Sequence, residues 1–316
     1  QTSIQRKPQT MRISLEGARN HSVTAKDIVL YLSGVVGAGG GNGFVVEFAG
    51  DVVRGMSMEE RFTICNMAIE MGFRYALIEP DETTFAFLQD RPYAPKGKDW
   101  DAALAHWRGL KTDEEASFDE ELRINVSDVA PQVTWGTSPQ DVMAVDAKIP
   151  DPDLETDDQK RRSIAAALDY VALQPGAAIE GTPVDWVFIG SCTNGRLSDL
   201  EAAARIARGN KVKEGVKAWV VPGSETVRAA AEARGLDRVF LDAGFRWGAP
   251  GCSLCGGSGG AMQEKVPAGQ RIASTSNRNF IGRQGPGSRT HLVSPPMAVA
   301  AAVTGTIFDV RKLEAH

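Results

Sequence analysis

The stretch "VDWVFIGSCTNGRLSDLEAAARIARG" (residues 184–209) reads as a buried strand, a short polar turn and an amphipathic helix. The same passage recurs where "KAWVVPG" (217–223) leads into "SETVRAAAEARG" (224–235), and we expect "DRVFLDAG" (237–244) to be the next strand. Strands that alternate with amphipathic helices are typical of a parallel, doubly wound sheet. Ligands bind such sheets at the carboxyl ends of the strands, in the loops before the helices.

The N-terminal part of the chain shows the same alternation. "MEERFTICNMAIEMG" (58–72) has the apolar spacing of a helix, and "RYALIEPDETTFAFL" (74–88) predicts a strand, a loop and the start of a helix. Residues 131–158, rich in proline and acidic side chains, are interpreted as the connection between domains. The sequence therefore predicts an α/β protein with two doubly wound, three-layer domains built on mainly parallel sheets, at residues 1–130 and 131–316.

Charge and hydropathy exclude some classes of function. A net charge of −5 argues against a general nucleic-acid binder, because such domains carry a basic excess. No apolar run reaches the roughly 18 residues that suggest a membrane span, and the most apolar stretch, "PPMAVAAAVTGTIF" (295–308), is interpreted as a buried helix or a helix followed by a strand. The first residues carry no signal peptide and read as the middle of a longer chain. We expect a cytoplasmic protein, with a mitochondrial location left open.

The chain has four cysteines, and three of them fall at the predicted ligand-binding edge. Cys192 follows the strand of the first stretch, whereas Cys252 and Cys255 form a C-x-x-C motif farther on. The motif alone is compatible with a redox pair, a structural zinc site, an iron–sulfur cluster with one open iron, or simple packing. Zinc sites normally need a fourth ligand, and no histidine is close in sequence. Cys65 lies in an apolar helix pattern and is expected to be a buried structural residue.

A loop rich in arginine and glycine, "STSNRNFIGRQGPGSRTHLVSP" (274–295), is the second candidate for chemistry. Guanidinium groups on such a loop bind carboxylates or phosphates with paired hydrogen bonds. The alternative is a solvated basic loop, although its glycines and its asparagines, Asn277 and Asn279, favour a specified backbone shape.

These motifs together resemble a known family. The segments "GSCTNGR", "PGCSLC" and "STSNRNFIGRQG", with "EFAGDVVRGMSMEERFTICNMAIEMG" in the first half, are similar to the catalytic large subunits of 3-isopropylmalate dehydratases, in the aconitase superfamily. The resemblance covers nearly the whole chain. It implies two domains of the aconitase type, the second and the third, and a [4Fe–4S] cluster held by Cys192, Cys252 and Cys255. The enzymes of this family interconvert 2-isopropylmalate and 3-isopropylmalate by dehydration and rehydration, in leucine biosynthesis.

The resemblance also implies roles for other residues and for partners. Arg278 and Arg283 would bind substrate carboxylate, Asn277 would lie against the cluster, and Glu47 would act on the iron-bound water, unless it is a surface charge at a strand end. Arg289 and His291 are expected to be structural. The expected partners are a hydroxy-dicarboxylate substrate and a small subunit that carries the swivelling domain; neither nucleic acid nor membrane is expected.

Two departures from the family pattern limit the prediction. The family's first domain, which adds acid and base groups, is not matched, so this chain alone is expected to be inactive. The run "GGSGG" (256–260) replaces the usual residues after the second cysteine of the motif. The alternatives are an inactive truncated homologue or iron–sulfur scaffold, or an enzyme acting on homoaconitate or a related acid.

Overall fold

The computed structural model describes residue 4, residues 6–256 and residues 264–314. The glycine run predicted to be unusual lies outside the described residues from position 257 onward. The strands are β1 (Gln9–Glu16), β2 (Phe44–Ala49), β3 (Tyr75–Ile78), β4 (Glu120–Asn125), β5 (Gln132–Thr134), β6 (Val142–Ala144), β7 (Trp186–Ile189), β8 (Lys217–Val220), β9 (Arg246–Trp247), β10 (Arg271–Ser274) and β11 (Arg289–Leu292).

The helices alternate with these strands along the chain. They are α1 (Ala25–Val36), α2 (Asp51–Arg54), α3 (Met58–Met67), α4 (Glu82–Leu88), α5 (Lys98–Arg108), α6 (Asp158–Val171), α7 (Ser191–Asn194), α8 (Leu197–Ala207), α9 (Glu225–Ala233), α10 (Leu236–Ala243), α11 (Pro295–Thr304) and α12 (Arg311–Glu314). None of the helices in the described ranges is long and apolar enough to cross a membrane.

The described residues form two compact units, each with its own parallel sheet. The first unit contains the sheet β3-β2-β1-β4, and the alternating pattern of β1 buries Met11, Ile13 and Leu15 on one face. The second unit contains the sheet β11-β10-β7-β8-β9, in which every residue of β7 is buried. All strand pairs within these two sheets are parallel. The predicted α/β class with mainly parallel sheets is therefore confirmed.

The unit boundaries differ from the predicted domain limits at residues 21–38 and, by two residues, at 129–130. Residues 21–38 belong to the second unit, where α1 packs against β5 and β6. The N-terminus of α1 explains this packing: Asp27 is fully buried, accepts the backbone N–H of Thr24 at 2.8 Å and also accepts the N–H of Gln132 in β5 at 2.9 Å. The identity of the units as the second and third domains of an aconitase-type enzyme stays a prediction.

Two local predictions are wrong. The segment predicted as a strand at 237–244 is helix α10, because Leu236, Phe240 and Ala243 recur at helical spacing and all point into the core. The segment interpreted as a connection, 131–158, forms the antiparallel pair β5–β6 and buries Val133 and Val145 in the main core of the second unit.

The prediction of a buried apolar helix near the C-terminus is confirmed. Helix α11 is buried from Pro295 to Ala302 and packs against α8 and β7. It ends at Gly305, whose φ of 73° lies in the left-handed region that closes helices at low cost.

Candidate functional site

Cys192 lies in the four-residue helix α7, within the turn between β7 and α8, at the carboxyl end of a fully buried strand. The turn is tightly determined by its neighbours. Gly195 approaches the backbone of Gly223 so closely that a Cβ would lie 2.9 Å from the Gly223 nitrogen. Ser191, next to the cysteine, has a φ of 78°, which is uncommon for a residue with a side chain. Backbone strain of this kind persists only where the surroundings enforce it.

Asn277 connects this turn to the arginine loop. Its amide nitrogen Nδ2 donates a hydrogen bond to the Sγ of Cys192 at 3.4 Å, while its Oδ1 accepts one from the Thr193 hydroxyl at 2.6 Å. The amide is therefore oriented with its donor toward the sulfur. The structure brings these two predicted site residues together.

The C-x-x-C motif forms a short 3₁₀ helix, Ser253–Cys255. Cys252 is exposed, whereas Cys255 is buried in a small apolar cluster with Phe188, Leu254 and Ile272. Since Phe188 belongs to β7 and Ile272 to β10, this cluster seats the motif against the strands that precede Cys192 and Asn277.

Arg283 is the predicted substrate residue that contacts this motif. Its Nη2 donates to the Sγ of Cys255 at 3.9 Å, and its guanidinium lies 5.3 Å from the centre of the Phe280 ring. Arg278 is exposed at the other end of the same loop. Both arginines thus belong to the loop that follows the carboxyl end of β10, and this loop contacts Cys192 through Asn277 and Cys255 through Arg283.

Buried side chains fix the backbone of the arginine loop through hydrogen bonds. This agrees with the specified backbone shape that its glycines and asparagines favoured. The fully buried Lys26 donates from Nζ to the carbonyl oxygens of Ser276 at 2.7 Å and Thr275 at 3.2 Å. Asn279 is buried and donates to the Gly136 carbonyl at 2.8 Å. The buried amide of Gln284 donates to the Leu254 carbonyl at 3.0 Å, which links the loop to the C-x-x-C motif.

Arg289 and His291 have the contacts of structural residues, as expected. Arg289 donates to the carbonyl oxygens of Tyr170 and Gly269 at 3.3 and 3.1 Å. His291 is fully buried; its Nδ1 donates to the Thr134 carbonyl at 2.6 Å, which leaves Nε2 to accept from Arg271 at 2.7 Å. Burial, together with the positive charge of Arg271, lowers the pKa of His291 to about 3.

Glu47 lies in the middle of β2, in the first unit. Its Oε1 accepts from Nη2 and Nε of Arg12 at 2.9 and 3.2 Å, and its Oε2 accepts from the Thr112 hydroxyl. Arg12 also lies 4.2 Å from the centre of the Phe118 ring. These contacts, all within the first unit, show that Glu47 stabilises its own sheet. Its catalytic role stays a prediction.

Cys65 lies in helix α3 of the first unit, whereas the other three cysteines belong to the second unit. It is half-buried, and burial raises the pKa of its thiol to about 11. A thiol that stays protonated at neutral pH is a poor nucleophile and a poor metal ligand. The expected structural role agrees with this environment.

Two donors beside the C-x-x-C motif bear on whether a cluster fits this site. Within the described ranges, no three His, Cys, Asp or Glu side chains converge on one metal ion. Two buried donors beside the motif, Ser253 Oγ and Arg283 Nε, have no partner among the described atoms. Inorganic sulfide and thiolate are acceptors of the kind that these donors require.

Sequence reasoning missed three residues of this arrangement: Lys26, Thr193 and Ser253. The hydroxyls of Thr193 and Ser253 were visible in the motifs, next to the cysteines. For Lys26 the sequence carries no signal, because its partners are 249 and 250 residues away along the chain.

Residues 1–305 match the family described as "Aconitase family (aconitate hydratase)". The chain belongs to the aconitase family. Among curated relatives, this aconitase-family chain is 58% identical over 314 residues to "3-isopropylmalate dehydratase large subunit 1" of Bradyrhizobium diazoefficiens. The alignment covers 99% of the chain but 65% of that relative, so the chain spans less than two thirds of the relative's length. The resemblance inferred from the motifs is confirmed.

Among solved structures, the aconitase-family chain is similar to the holo form of aconitase X from Thermococcus kodakaraensis. The two are 13% identical, with a TM-score of 0.40, over 86% of this chain and 50% of the other. At this score the likeness adds nothing to the description of the fold, which rests on the two parallel sheets.

Proposed function

We propose that this chain is the cluster-bearing part of the large subunit of a hydro-lyase that interconverts 2-isopropylmalate and 3-isopropylmalate. The observation that carries the proposal is the meeting of the cysteines and the arginine loop at one sheet edge, through Asn277 on Cys192 and Arg283 on Cys255. Thiolate ligands beside guanidinium groups suit a metal cluster that works on a carboxylate substrate. The 58% identity to a 3-isopropylmalate dehydratase large subunit supports the choice of substrate.

In this proposal Cys192, Cys252 and Cys255 hold a [4Fe–4S] cluster. When bound, such a cluster with one iron free of cysteine supplies a Lewis acid to a substrate hydroxyl. The protein's own contribution begins with the sulfurs: Asn277 donates to Cys192 and Arg283 to Cys255, and these hydrogen bonds orient the two ligands.

Arg278 and Arg283 bind the two carboxylates of the substrate and set its orientation. Charge-assisted, paired hydrogen bonds of this kind fix both the position and the orientation of a planar carboxylate. Lys26 and Asn279 keep the loop backbone in place, so that little ordering is needed when the substrate binds. Glu47 is proposed as the carboxylate that acts on the leaving water.

The reaction removes a hydroxyl from one carbon and a proton from its neighbour, which gives an unsaturated dicarboxylate and water. Addition of water in the opposite orientation then gives the isomer. We propose a place in leucine biosynthesis in the cytoplasm, with a small subunit that supplies the swivelling domain, since the relative's name is that of a large subunit.

The first test is anaerobic reconstitution of the chain with iron and sulfide, with Cys192→Ala as its control. About four iron and four sulfide per chain, with the visible absorption of a cubane cluster that the variant lacks, would support the cofactor assignment. Little bound iron in the wild-type chain would contradict it.

The second test is turnover by the reconstituted chain with and without an added small subunit. We expect the ultraviolet absorbance of the unsaturated dicarboxylate to appear from 2-isopropylmalate only with the small subunit present. Homoaconitate is the competing substrate in the same assay, and faster turnover of it would overturn the choice of isopropylmalate. Turnover of neither acid by the loaded chain with its subunit would support the alternative of an inactive truncated homologue or iron–sulfur scaffold.

A further inference from the structure

Ser253 has an unusual backbone in the middle of the C-x-x-C motif. Its φ is 44°, in the left-handed region. This conformation costs roughly 1–2 kcal/mol for a residue with a Cβ. The described residues with a side chain and a positive φ are Asp90, Ala172, Ser191 and Ser253. Two of these four therefore lie next to a proposed cluster ligand. Glycine would adopt the same backbone without the cost, so the serine side chain calls for an explanation.

The hydroxyl of Ser253 has no partner in the part of the chain that the structure describes. The residue is 4% exposed, and its Oγ is buried without an acceptor. Ser191, the comparable residue beside Cys192, is different, because its Oγ donates to the Thr275 carbonyl at 3.2 Å. A buried hydroxyl left unpaired costs about 1–3 kcal/mol. The strained backbone and the unpaired hydroxyl are thus two independent costs at one residue.

The residues that follow Ser253 and the neighbouring Arg283 indicate which group the Ser253 hydroxyl binds. Leu254 and Cys255, which follow Ser253, pack into an apolar cluster with Trp186 and Val266. Ser253 lies between the two proposed cluster ligands of the motif: it follows Cys252 directly and precedes Cys255 by two positions. Arg283, whose Nη2 contacts the Cys255 sulfur, also has its Nε buried and unpaired. Two unpaired donors therefore accompany the same pair of thiols.

We propose that Ser253 Oγ donates a hydrogen bond to a sulfur of the cluster, either an inorganic sulfide or a cysteine thiolate, and thereby sets the cluster's reduction potential. This inference rests on the proposed function, since it requires the cluster. A hydrogen bond to sulfur stabilises the more negative, reduced cluster and raises the potential. Ser253 is in this sense a positioning and tuning residue of the cofactor rather than a catalytic one.

The test is a redox titration, followed by electron paramagnetic resonance, of the reconstituted wild-type chain, Ser253→Ala and Ser253→Gly. The alanine removes the hydroxyl and keeps the backbone cost, whereas the glycine removes both. We expect the same iron content in all three and a reduction potential shifted to more negative values by a similar amount in the two variants. Ser33→Ala, which removes a buried hydroxyl bonded to the Val29 carbonyl in α1, is the matched control and keeps the wild-type potential.

Each other outcome overturns the proposal in a recognisable way. An unchanged potential in Ser253→Ala shows that the hydroxyl does not contact the cluster. A shift in the glycine variant alone assigns the effect to the backbone. Loss of the cluster from both variants, with Ser33→Ala fully loaded, shows a requirement for assembly rather than tuning. A wild-type chain that binds no iron overturns the proposed function as well.

Discussion

Asn277 donates a hydrogen bond to the Cys192 sulfur from its amide nitrogen and accepts one from Thr193 at its amide oxygen. Because both ends of the amide are used, its orientation is determined by the protein. We predict that Asn277→Ala, which removes the donor, loses the reconstituted cluster faster in air, because removal of a residue that supports a metal ligand typically costs about 10–100-fold in metal affinity. The decay of visible absorbance measures this. Asn194→Ala is the control, and an equal loss rate in both variants would contradict the assignment.

The arginine loop yields a prediction about substrate affinity. Arg283→Gln and Arg278→Gln each remove a charge-assisted hydrogen bond worth about 1.5–3 kcal/mol, so we expect KM for the dicarboxylate to rise roughly 10–100-fold. Arg289→Gln, at the start of β11, is the matched control, because Arg289 binds two backbone carbonyls. Steady-state kinetics of the complex with its small subunit measures the effect. A rise in KM for Arg289→Gln alone would reverse the assignment of these roles.

Lys26 yields a prediction about stability. Lys26→Met leaves the Ser276 carbonyl without its donor, whereas the Thr275 carbonyl keeps the hydroxyl of Ser191. An unpaired buried carbonyl costs about 1–3 kcal/mol, and we expect the free energy of unfolding to fall by that amount. Urea denaturation measures it. The exposed Lys160→Met should change stability by less than about 0.5 kcal/mol; equal effects of the two substitutions would refute the role of Lys26.

His291 yields a prediction about pH. Its pKa falls from 6.5 to about 3 on folding, mainly because the ring is buried. Between these values the unfolded state binds the extra proton and the folded state does not, so stability is complete above pH 6.5 and declines as the pH falls toward 3. One such group contributes a slope of up to about 1.4 kcal/mol per pH unit.

The comparison that isolates this slope is His291→Gln, whose amide keeps one donor and one acceptor but does not titrate. We expect the difference in unfolding free energy between the wild type and this variant to shrink from pH 6.5 to pH 4. Buried Asp27, whose pKa is raised by desolvation, contributes equally to both proteins and cancels. A difference that stays constant with pH would show that His291 does not carry the effect.

The contrast between α10 and the turn at Cys192 shows what local patterns can predict. The turn was recognisable because a continuous apolar strand, a small polar turn and an amphipathic helix follow one another within one stretch. The segment at 237–244 carries apolar residues that suit a strand by composition, but Leu236, Phe240 and Ala243 recur at helical spacing, and Gly244, with a left-handed φ, ends the helix. Short apolar runs do not distinguish the two states without such end signals.

The sequence by itself determined the α/β class, the parallel sheets and the membership in the aconitase family, because strand–helix alternation and the cysteine and arginine motifs are local. Only the tertiary structure decided that residues 21–38 join the second unit, that Lys26 supports the arginine loop and that the buried Ser253 hydroxyl has no partner among the described residues. These features depend on contacts between residues far apart in the chain or on the conformation of a single residue. Neither produces a periodic pattern in the sequence from which it could be predicted.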